Sequence, residues 1–550
     1  MHSSSITTIL FYLFFIIFCF NGPTMVVHSQ NTNLTTFQLP SPLPKWPQGG
    51  GFASGTIDLG GLQVSQVTNF TKIWATNEGG PDNLGVTFYD PVTIPQGFTS
   101  LGSYAQPNNI PLFGHILVAK DVSNNSSKPV LKSPTDYTLV WSSESLDIKK
   151  DGEGYIWFPV APEGYKAIGY VASGSSDKPP LDKVSCVRED FTDTTNITSG
   201  LKSDNDINLD GLNVRDSIGG FMVQNMSVGN LKGNPSNSMP NLNQVKALIQ
   251  AYAPVIHFHP DEQYLPSSVD WFFQNGALLY HKGDESKPIN VDKNGSNLPQ
   301  GGSNDDTYWL DLPQDGSSKD RVKKGDLQNA CAYFHVKPVS GGLFTDIATW
   351  VFYPFNGASR AKVKFINIGL GKLGEHVGDW EHVTLRVNNI NGQLNSVFFS
   401  QHSWGKWVSA SDLEYHTGNK PVVYASLHGH ASYPKPGCVL LGSGGSDMGV
   451  RDDTAKCDKV MDTGVGAVVI AAEYMNGVVV EPPWLNYERK WGPKIDYDVD
   501  KELKNAKKVM IGKLKKAFQK LVESVPSEML GEDGPTGPKV KNNWSGDEVV

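Results

Sequence analysis

Three side chains suited to cation binding stand close together in the run H-V-G-D-W-E at residues 376–381. The pattern from Asp379 onward predicts a β-strand, in which Asp379 and Glu381, two residues apart, face the same side. His376 lies three residues earlier, on a predicted loop that folds over both carboxylates. Two carboxylates and an imidazole suit a hard or borderline divalent cation, and buried carboxylates without one would repel and take up protons. The spacing predicts a site for Mg²⁺, Ca²⁺ or Mn²⁺, and the alternative is a solvated strand end.

Other polar side chains could complete this site. Asn356 ends the predicted preceding strand and offers an amide oxygen, and His402 lies near the end of the following strand. His428 and His430 alternate in S-L-H-G-H and are expected on one face, as is the H-x-H pair at 257–259. Each H-x-H pair is a zinc candidate. The alternative is that these histidines are hydrogen-bonded structural residues.

Several other functions lack support in the sequence. No G-x-S-x-G elbow, P-loop, dinucleotide fingerprint or H-E-x-x-H motif occurs. Asp261, Glu262 and Asp346 could pair with other acids for acid–base work, but their spacing does not single them out. The net charge of -9 offers no basic surface for nucleic acid, so we expect no nucleic-acid partner.

The candidate site must be held by a β-rich body. With 56 glycines and 35 prolines the chain is rich in turn residues, and its many aromatic residues favour strands. About 520 residues after the N-terminal leader are too many for a single core. We expect residues 241–500 to form a β-sandwich that carries the candidate metal site and a few helices.

The N-terminal half contains an internal repeat. Residues 88–102 and 157–169 both read aromatic, proline, then Pro-x-Gly-aromatic and a short aliphatic stretch ending in glycine. Repeated strand–turn–strand units predict a β-prism-like module over 37–205, with a degenerate third unit at 208–223. A polar linker is expected over 206–240, before an amphipathic helix that Pro254 terminates.

The C-terminal segment 501–550 is predicted to be an amphipathic helix and tail. Apolar residues from Leu503 to Val525 recur on one side, and eight lysines lie on the other. A basic amphipathic helix can contact a membrane peripherally. More often its apolar stripe packs on the protein and its charges are solvated, and we favour that interpretation.

Residues 1–29 are typical of a signal peptide. An apolar run at 9–20 has the length of a signal-peptide core and is short for a membrane span. V-H-S at 27–29 offers a cleavage site. The segment before the run carries no Lys or Arg, so an uncleaved anchor is the alternative. The prediction is a secreted protein of the secretory pathway, extracellular or vacuolar.

Four cysteines remain after the leader, and an oxidising compartment implies disulfides. Three connectivities are open, and Cys438–Cys457 with Cys186–Cys331 is favoured because the first pair brackets a polar loop. Glycosylation sequons indicate a glycoprotein and stand at eight positions: Asn33, Asn69, Asn124, Asn125, Asn196, Asn225, Asn294 and Asn543.

Motifs along nearly the whole mature chain resemble the vacuolar protein sorting-associated protein 62 family, many members of which occur in plants. They are F-A-S-G at 52–55, I-W-A-T at 73–76, H-P-D-E at 259–262, G-D-W-E-H at 378–382 and S-L-H-G-H-A at 426–431. The resemblance implies no settled biochemical activity.

A more distant resemblance covers residues 348–407. H-x-x-D-W-E at 376–381 is similar to the metal-binding centre of the necrosis- and ethylene-inducing peptide-like cytolysins. The resemblance implies a β-sandwich with one divalent cation beside a glycolipid head-group site. It assigns ligands to His376, Asp379 and Glu381. Asn356 replaces an acid of that family, which puts lytic activity in doubt.

Three functions follow as hypotheses. The leading one is a secretory-pathway protein that binds glycan or membrane-lipid head groups with help from a divalent cation. The alternatives are a metal-dependent hydrolase, with His382 or His402 as base, and a structural or defence protein without catalysis.

Overall fold

A computed structural model describes most of the chain after residue 36. The described residues are 37–78, 83–108, 111–195, 228–231, 237–402, 404–442, 448–508, 512–522, 534–546 and 548. The predicted signal peptide and third repeat unit lie outside these residues, as do the sequons at Asn33, Asn196 and Asn225.

The N-terminal part of the described chain is built from short strands. Their bounds are β1 Ile57–Asp58, β2 Leu62–Val67, β3 Phe70–Ala75, β4 Val86–Pro91, β5 Thr99–Ser100, β6 Tyr104–Pro107, β7 Ile116–Asp121, β8 Leu131–Lys132, β9 Asp136–Ser142, β10 Tyr155–Val160, β11 Tyr165–Lys166, β12 Val171–Ser173, β13 Cys186–Arg188, β14 Thr192–Thr195 and β15 Val228–Leu231. They pair in small sheets of order β1-β2-β7-β5, β3-β4-β6, β12-β10-β9, β11-β13-β8 and β14-β15.

The internal repeat is confirmed by the strand pairing. The sheet β3-β4-β6 corresponds to β9-β10-β12, and β2-β7-β5 corresponds to β8-β13-β11. Each Pro-x-Gly segment forms the same turn, in which Phe98 N donates to Pro95 O and Tyr165 N donates to Pro162 O. The glycine of each turn has a positive φ, which only glycine adopts without strain.

The two predicted halves share an apolar cluster. Leu62 and Leu117 of the repeat module pack with Val339, Phe344 and Ile390 of the second block. The described part of the predicted linker contributes strand β15, which pairs antiparallel with β14. At its end, Asn237 O accepts a hydrogen bond from Gly51 N.

The second block contains longer strands and short helices. The strands are β16 Val255–His257, β17 Leu278–His281, β18 Ile289–Asn290, β19 Tyr308–Asp311, β20 Tyr333–Val339, β21 Phe344–Asn356, β22 Arg360–Val363, β23 Ile366–Gly369, β24 His376–Asn388, β25 Leu394–Gln401, β26 Trp404–Ser409, β27 Val422–Ala425, β28 Ser432–Tyr433, β29 Gly437–Leu441, β30 Met448–Thr454, β31 Val460–Asp462 and β32 Val468–Ala471. The α-helices are α1 Leu242–Tyr252, α2 Val269–Gln274, α3 Gly316–Lys323, α4 Val499–Lys508 and α5 Lys513–Val522.

A central sheet of order β26-β25-β24-β21-β20-β32 organises this block. Because side chains alternate along a strand, Val383 and Leu385 of β24 enter one apolar cluster and Trp380 enters another on the opposite face. A smaller sheet, β28-β27-β16-β31, supplies Ile256 and Val423 to the first cluster. Packing on both faces of the central sheet confirms the predicted mostly β fold with few helices.

The predicted helices are found, with one correction. Helix α1 begins at a capping box between Asn241 and Gln244 and ends before Pro254, as expected. The single helix predicted over 501–525 is instead α4 and α5, separated by a break that includes Gly512 with φ +58°. The apolar residues of both helices pack on the sheet β23-β22-β30-β29. The predicted packing is therefore correct, while the predicted continuity is wrong.

The structure contains neither predicted disulfide, because all four cysteines described are free. Cys186 is buried in β13 beside Tyr165, whereas Cys331 packs against the cluster around Trp380. Cys438 lies on β29 opposite Asp453, and Cys457 lies beyond the end of β30. Cysteine spacing alone did not reveal that each pair is divided between separate environments.

The described sequons differ in accessibility. Asn69, Asn124, Asn125 and Asn294 are exposed. Asn543 is partly buried, and its Nδ2 donates to the buried carboxylate of Glu548. Glycosylation stays a prediction, and a glycan at Asn543 would compete with this hydrogen bond.

Candidate functional site

The candidate site lies where β21 ends and β24 begins in the central sheet. The antiparallel register places Asn356 opposite His376 and Tyr353 opposite Asp379. Asp379 and Glu381 occupy alternate positions, so both face the side of the sheet that β27 and β28 cover. The strand pattern thus gathers the four predicted metal ligands at one strand end.

His376 is held as a neutral imidazole. Its Nδ1–H donates to Gly378 O over 2.7 Å, which leaves a lone pair on Nε2. Burial lowers the pKa of His376, although the charge of Asp379 opposes this effect. Gly378 has φ +69°, and a Cβ there would lie 2.5 Å from Trp491 O, so the bend that carries His376 requires glycine.

Asp379 is paired with the buried imidazole of His430. Nδ1 of His430 lies 3.0 Å from Asp379 Oδ2, and Nε2 lies 3.0 Å from Tyr264 O. The ring stacks on Tyr353 with centroids 3.8 Å apart. Both nitrogens face acceptors, an arrangement that only the doubly protonated imidazolium satisfies with two donated hydrogen bonds.

Asp379 and His430 each stabilise the charged form of the other. Burial would lower the pKa of His430, but the hydrogen bond to Asp379 and the charge of Glu262 raise it overall. Burial would raise the pKa of Asp379, but the hydrogen bond from His430 and the charge of that imidazolium lower it overall. Asp379 is therefore an ionised carboxylate at neutral pH.

Glu381 is the acid of the site whose carboxylate has no hydrogen-bond donor among the described residues, although the charges of Lys541 and His402 lower its pKa in part. It is partly buried, and no hydrogen bond reaches its carboxylate from the described part of the chain. Burial and the neighbouring charge of Asp379 raise the pKa of Glu381 to about 8. This is the proton uptake expected for adjacent carboxylates without a cation.

His402 approaches the same acids from the turn between β25 and β26. Its φ of +56° turns the ring so that Nε2 lies 2.9 Å from Asp452 Oδ2, which also accepts from Tyr433. Burial would lower the pKa of His402, but Asp452 and then Glu381 raise it to about 9. Trp404, two residues later in the chain, is 48% exposed and pairs with Gln401 at the start of β26.

Glu262 fixes the loop that carries His428 and His430. Its carboxylate accepts from His428 N at 2.6 Å and from Tyr264 N at 2.8 Å. His428 and His430 have φ of +70° and +55°, so they lie on a tight turn between β27 and β28. The prediction that both rings share one face of a strand is wrong, because His430 is buried and His428 lies at the partly exposed rim.

Two other predicted histidine positions lie apart from the site. His257 Nδ1 bonds Cys457 O, and its ring stacks on Tyr424 at 5.4 Å. His382 points to the opposite face of the central sheet, where Nε2 lies 3.1 Å from Glu548. It therefore cannot serve as a base at Asp379.

The site gathers Asn356, His376, Asp379, Glu381 and His402, with His430 behind them. Sequence reasoning missed Glu262 as the anchor of the turn and Asp452 as the partner of His402. An H-P-D-E motif points to Glu262, whereas no local signal marks Asp452, which depends on the pairing of distant strands.

The donor types fit a hard divalent cation. They are the neutral imidazole of His376 and the carboxylates of Asp379 and Glu381. Asn356 can add an oxygen, because its Nδ2 donates to Gly357 O and Gly374 O and its Oδ1 is left to accept. Within the described ranges, no group of three or more His, Cys, Asp or Glu side chains is already arranged to hold a metal ion. Cation binding would require these side chains to move closer together.

Comparisons with known proteins relate the chain to one family. The profile of the family described as vacuolar protein sorting-associated protein 62 matches residues 33–548. A Saccharomyces cerevisiae protein of that name is 24% identical over 34% of this chain and 44% of its own length. The chain thus spans less than half the length of that curated relative.

Several solved structures also match part of the chain. Necrosis and Ethylene inducing Protein 2 from the causal agent of cocoa's Witches Broom disease is 13% identical, with 42% of this chain and 75% of that chain covered and a TM-score of 0.20. NLPPya in complex with glucosamine is 15% identical, with 44% and 90% covered and a TM-score of 0.20. Likeness at this level says nothing about ligands.

Proposed function

Since this chain belongs to the vacuolar protein sorting-associated protein 62 family, we propose that it acts in a sorting-related process as a binding protein. Its ligand is a glycan or a membrane-lipid head group, recognised at the site around Asp379 and Glu381 with help from a divalent cation. The expected compartment is the secretory pathway, ending outside the cell or in the vacuole.

The observation that carries this proposal is the Glu381 carboxylate. It lies partly buried beside ionised Asp379, and no described residue donates to it. A cation would displace the proton of Glu381 and balance the charge of both carboxylates, with His376 Nε2 and Asn356 Oδ1 as further donors. When bound, such a cation supplies a positive centre for sugar hydroxyl or phosphate oxygens.

Neighbouring groups suit recognition of a sugar. Trp404, two residues after His402 in the chain, presents an exposed indole, and an aromatic face can pack against the apolar face of a sugar ring. His402 carries a proton at neutral pH because Asp452 raises its pKa, so it can donate to an acceptor oxygen of the ligand.

A glycan array and liposomes with different head groups test the proposal. We expect the full chain to bind a subset of head groups with added Mn²⁺ or Ca²⁺ and to lose that binding in chelator. Trp404→Ala should weaken binding without changing cation content, whereas exposed Val480→Ala, far from the site in sequence, should not. On the glycan array and on liposomes of uncharged lipids, binding that is absent, or that chelator leaves intact, would refute the proposal.

The same chain can be screened against phosphoesters and glycosides. Cation-dependent turnover that is lost in His376→Ala would favour the hydrolase alternative over a binding protein.

A further inference from the structure

The hairpin formed by β22 and β23 presents an aromatic side chain to solvent. Phe365 at its tip is 83% exposed, and Lys364 beside it is exposed with φ +58°. The next residue, Ile366, packs partly against the cluster below the hairpin. Ile366 thus packs towards the protein while its neighbour Phe365 points to solvent.

The hairpin and the two helices α4 and α5 that pack beneath it are rich in lysine. Residues 360–372 contain four basic and no acidic residues, and 499–522 contain eight lysines and two acids, although the chain carries a net charge of -9. Six lysines on the two helices are exposed: Lys501, Lys504, Lys508, Lys515, Lys516 and Lys520. Positive charge is thus concentrated here against the overall balance of the protein.

The hairpin and the helices form one body. Val363 and Ile368 of the hairpin share a cluster with Ala506, Phe518 and Leu521 of α4 and α5. Because the apolar sides of these helices are buried there, the exposed lysines lie on the outer side. We call the hairpin tip and these outer lysines the basic face.

We propose that the basic face docks on an anionic phospholipid leaflet, with Phe365 inserted at the head-group level. Exposed lysines are attracted to anionic lipids as point charges, and an aromatic side chain between them adds apolar burial at the interface. Within 360–372 and 499–522 the only arginine is Arg360, which lies 3.7 Å from Asp453. Arginine binds single phosphates through two hydrogen bonds, whereas lysine acts as a point charge. Because the basic face presents lysines, it suits a diffuse anionic surface better than a single phosphate.

This surface is separate from the candidate site and requires no cation. The two are nevertheless joined by β30, which pairs with the hairpin at Met448 and carries Asp452 four residues later. Four residues of strand span about 13 Å. Docking would therefore hold the candidate site near the membrane in a fixed orientation.

Sedimentation of the full chain with vesicles tests this proposal. Vesicles of phosphatidylcholine alone are compared with vesicles containing 30 mol% phosphatidylserine, in chelator throughout so that the candidate site does not contribute. We expect binding only to the anionic vesicles, with a steep loss of binding as salt increases. Binding equal on both vesicles, or absent from both, would overturn the proposal.

Matched variants locate the contact. Phe365→Ala should weaken binding about ten-fold, whereas Val480→Ala, also 83% exposed, should not change it. Lys364→Glu should weaken binding by about five-fold or more, whereas Lys287→Glu, a lysine with 78% side-chain exposure elsewhere, should not. Equal effects within each pair would overturn the assignment, as would binding to heparin without binding to vesicles. Asp379→Ala should bind these vesicles like the wild type, so failure here and failure of the proposed function are distinguishable.

Discussion

Glu262 is the buried carboxylate that shapes the turn behind the candidate site, and Glu262→Gln tests that role. Its side chain is 1% exposed and accepts hydrogen bonds from the backbone N–H groups of Gln263, Tyr264 and His428. Gln keeps the shape and one acceptor oxygen. Its amide NH₂ would replace the oxygen that faces either His428 or Tyr264, and two donors would then oppose each other.

The magnitude follows from the electrostatics of Glu262. Burial would raise its pKa, but the hydrogen bond from His428 and the charge of His430 lower it from 4.5 to about 2. A pKa difference of about 2.5 corresponds to about 3 kcal/mol of stabilisation by the ionised form. Because the folded pKa lies below the unfolded one, this stabilisation is complete above about pH 4.5 and is lost as the pH falls through about 2.

Hydrogen exchange of the peptide containing His428 measures this effect locally. At pH 7 we expect Glu262→Gln to lose on the order of 100-fold in protection of that peptide, the equivalent of about 3 kcal/mol. Glu285→Gln is the control, because Glu285 also accepts a backbone N–H but is exposed, and it should change nothing here. Exchange in Glu262→Gln within about three-fold of the wild type would refute the argument.

Three further perturbations have expected outcomes in thermal unfolding. Glu548→Ala leaves His382 buried without its partner and should cost about 3 kcal/mol, and an unchanged midpoint would contradict this. Burial lowers the pKa of His115 to about 4, so the unfolded chain takes up a proton first as the pH falls below about 6.5. Between pH 7.5 and pH 5 the wild type should therefore lose about 2 kcal/mol more stability than His115→Phe. Equal losses in the wild type and in His115→Phe would refute this expectation. Gly378→Ala should cost about 2 kcal/mol or more, because its φ is positive and the added Cβ meets Trp491 O, and wild-type stability would contradict this.

Local patterns predicted the parts of the site that lie on one strand. Period-two alternation correctly placed Asp379 and Glu381 on one side of β24, and the pairing of β21 with β24 placed Asn356 opposite His376. The repeat was also predictable, because Pro-x-Gly specifies its turn locally.

Features that depend on distant contacts or on unusual φ values could not be predicted. An H-x-H pair looks the same in a strand and in a left-handed turn, and only the contact with Glu262 places His428 and His430 in a turn. The partnership of His402 with Asp452 arises from two strands that are separate in the chain. Cysteine spacing likewise carried no information on which side chains meet.

Membrane-spanning helices are a separate question. In the part of the chain that the structure describes, no helix has both the length and the apolar character needed to cross a bilayer.

The most direct test of the central claim is the cation content of the purified full chain. After dialysis against Mn²⁺, elemental analysis should find about one ion per chain in the wild type and in Asp261→Ala, an exposed acid next to Glu262. Asp379→Ala and Glu381→Gln should each lose that ion while keeping the wild-type fold by circular dichroism. Equal cation content in all four proteins, or none in the wild type, would contradict the account.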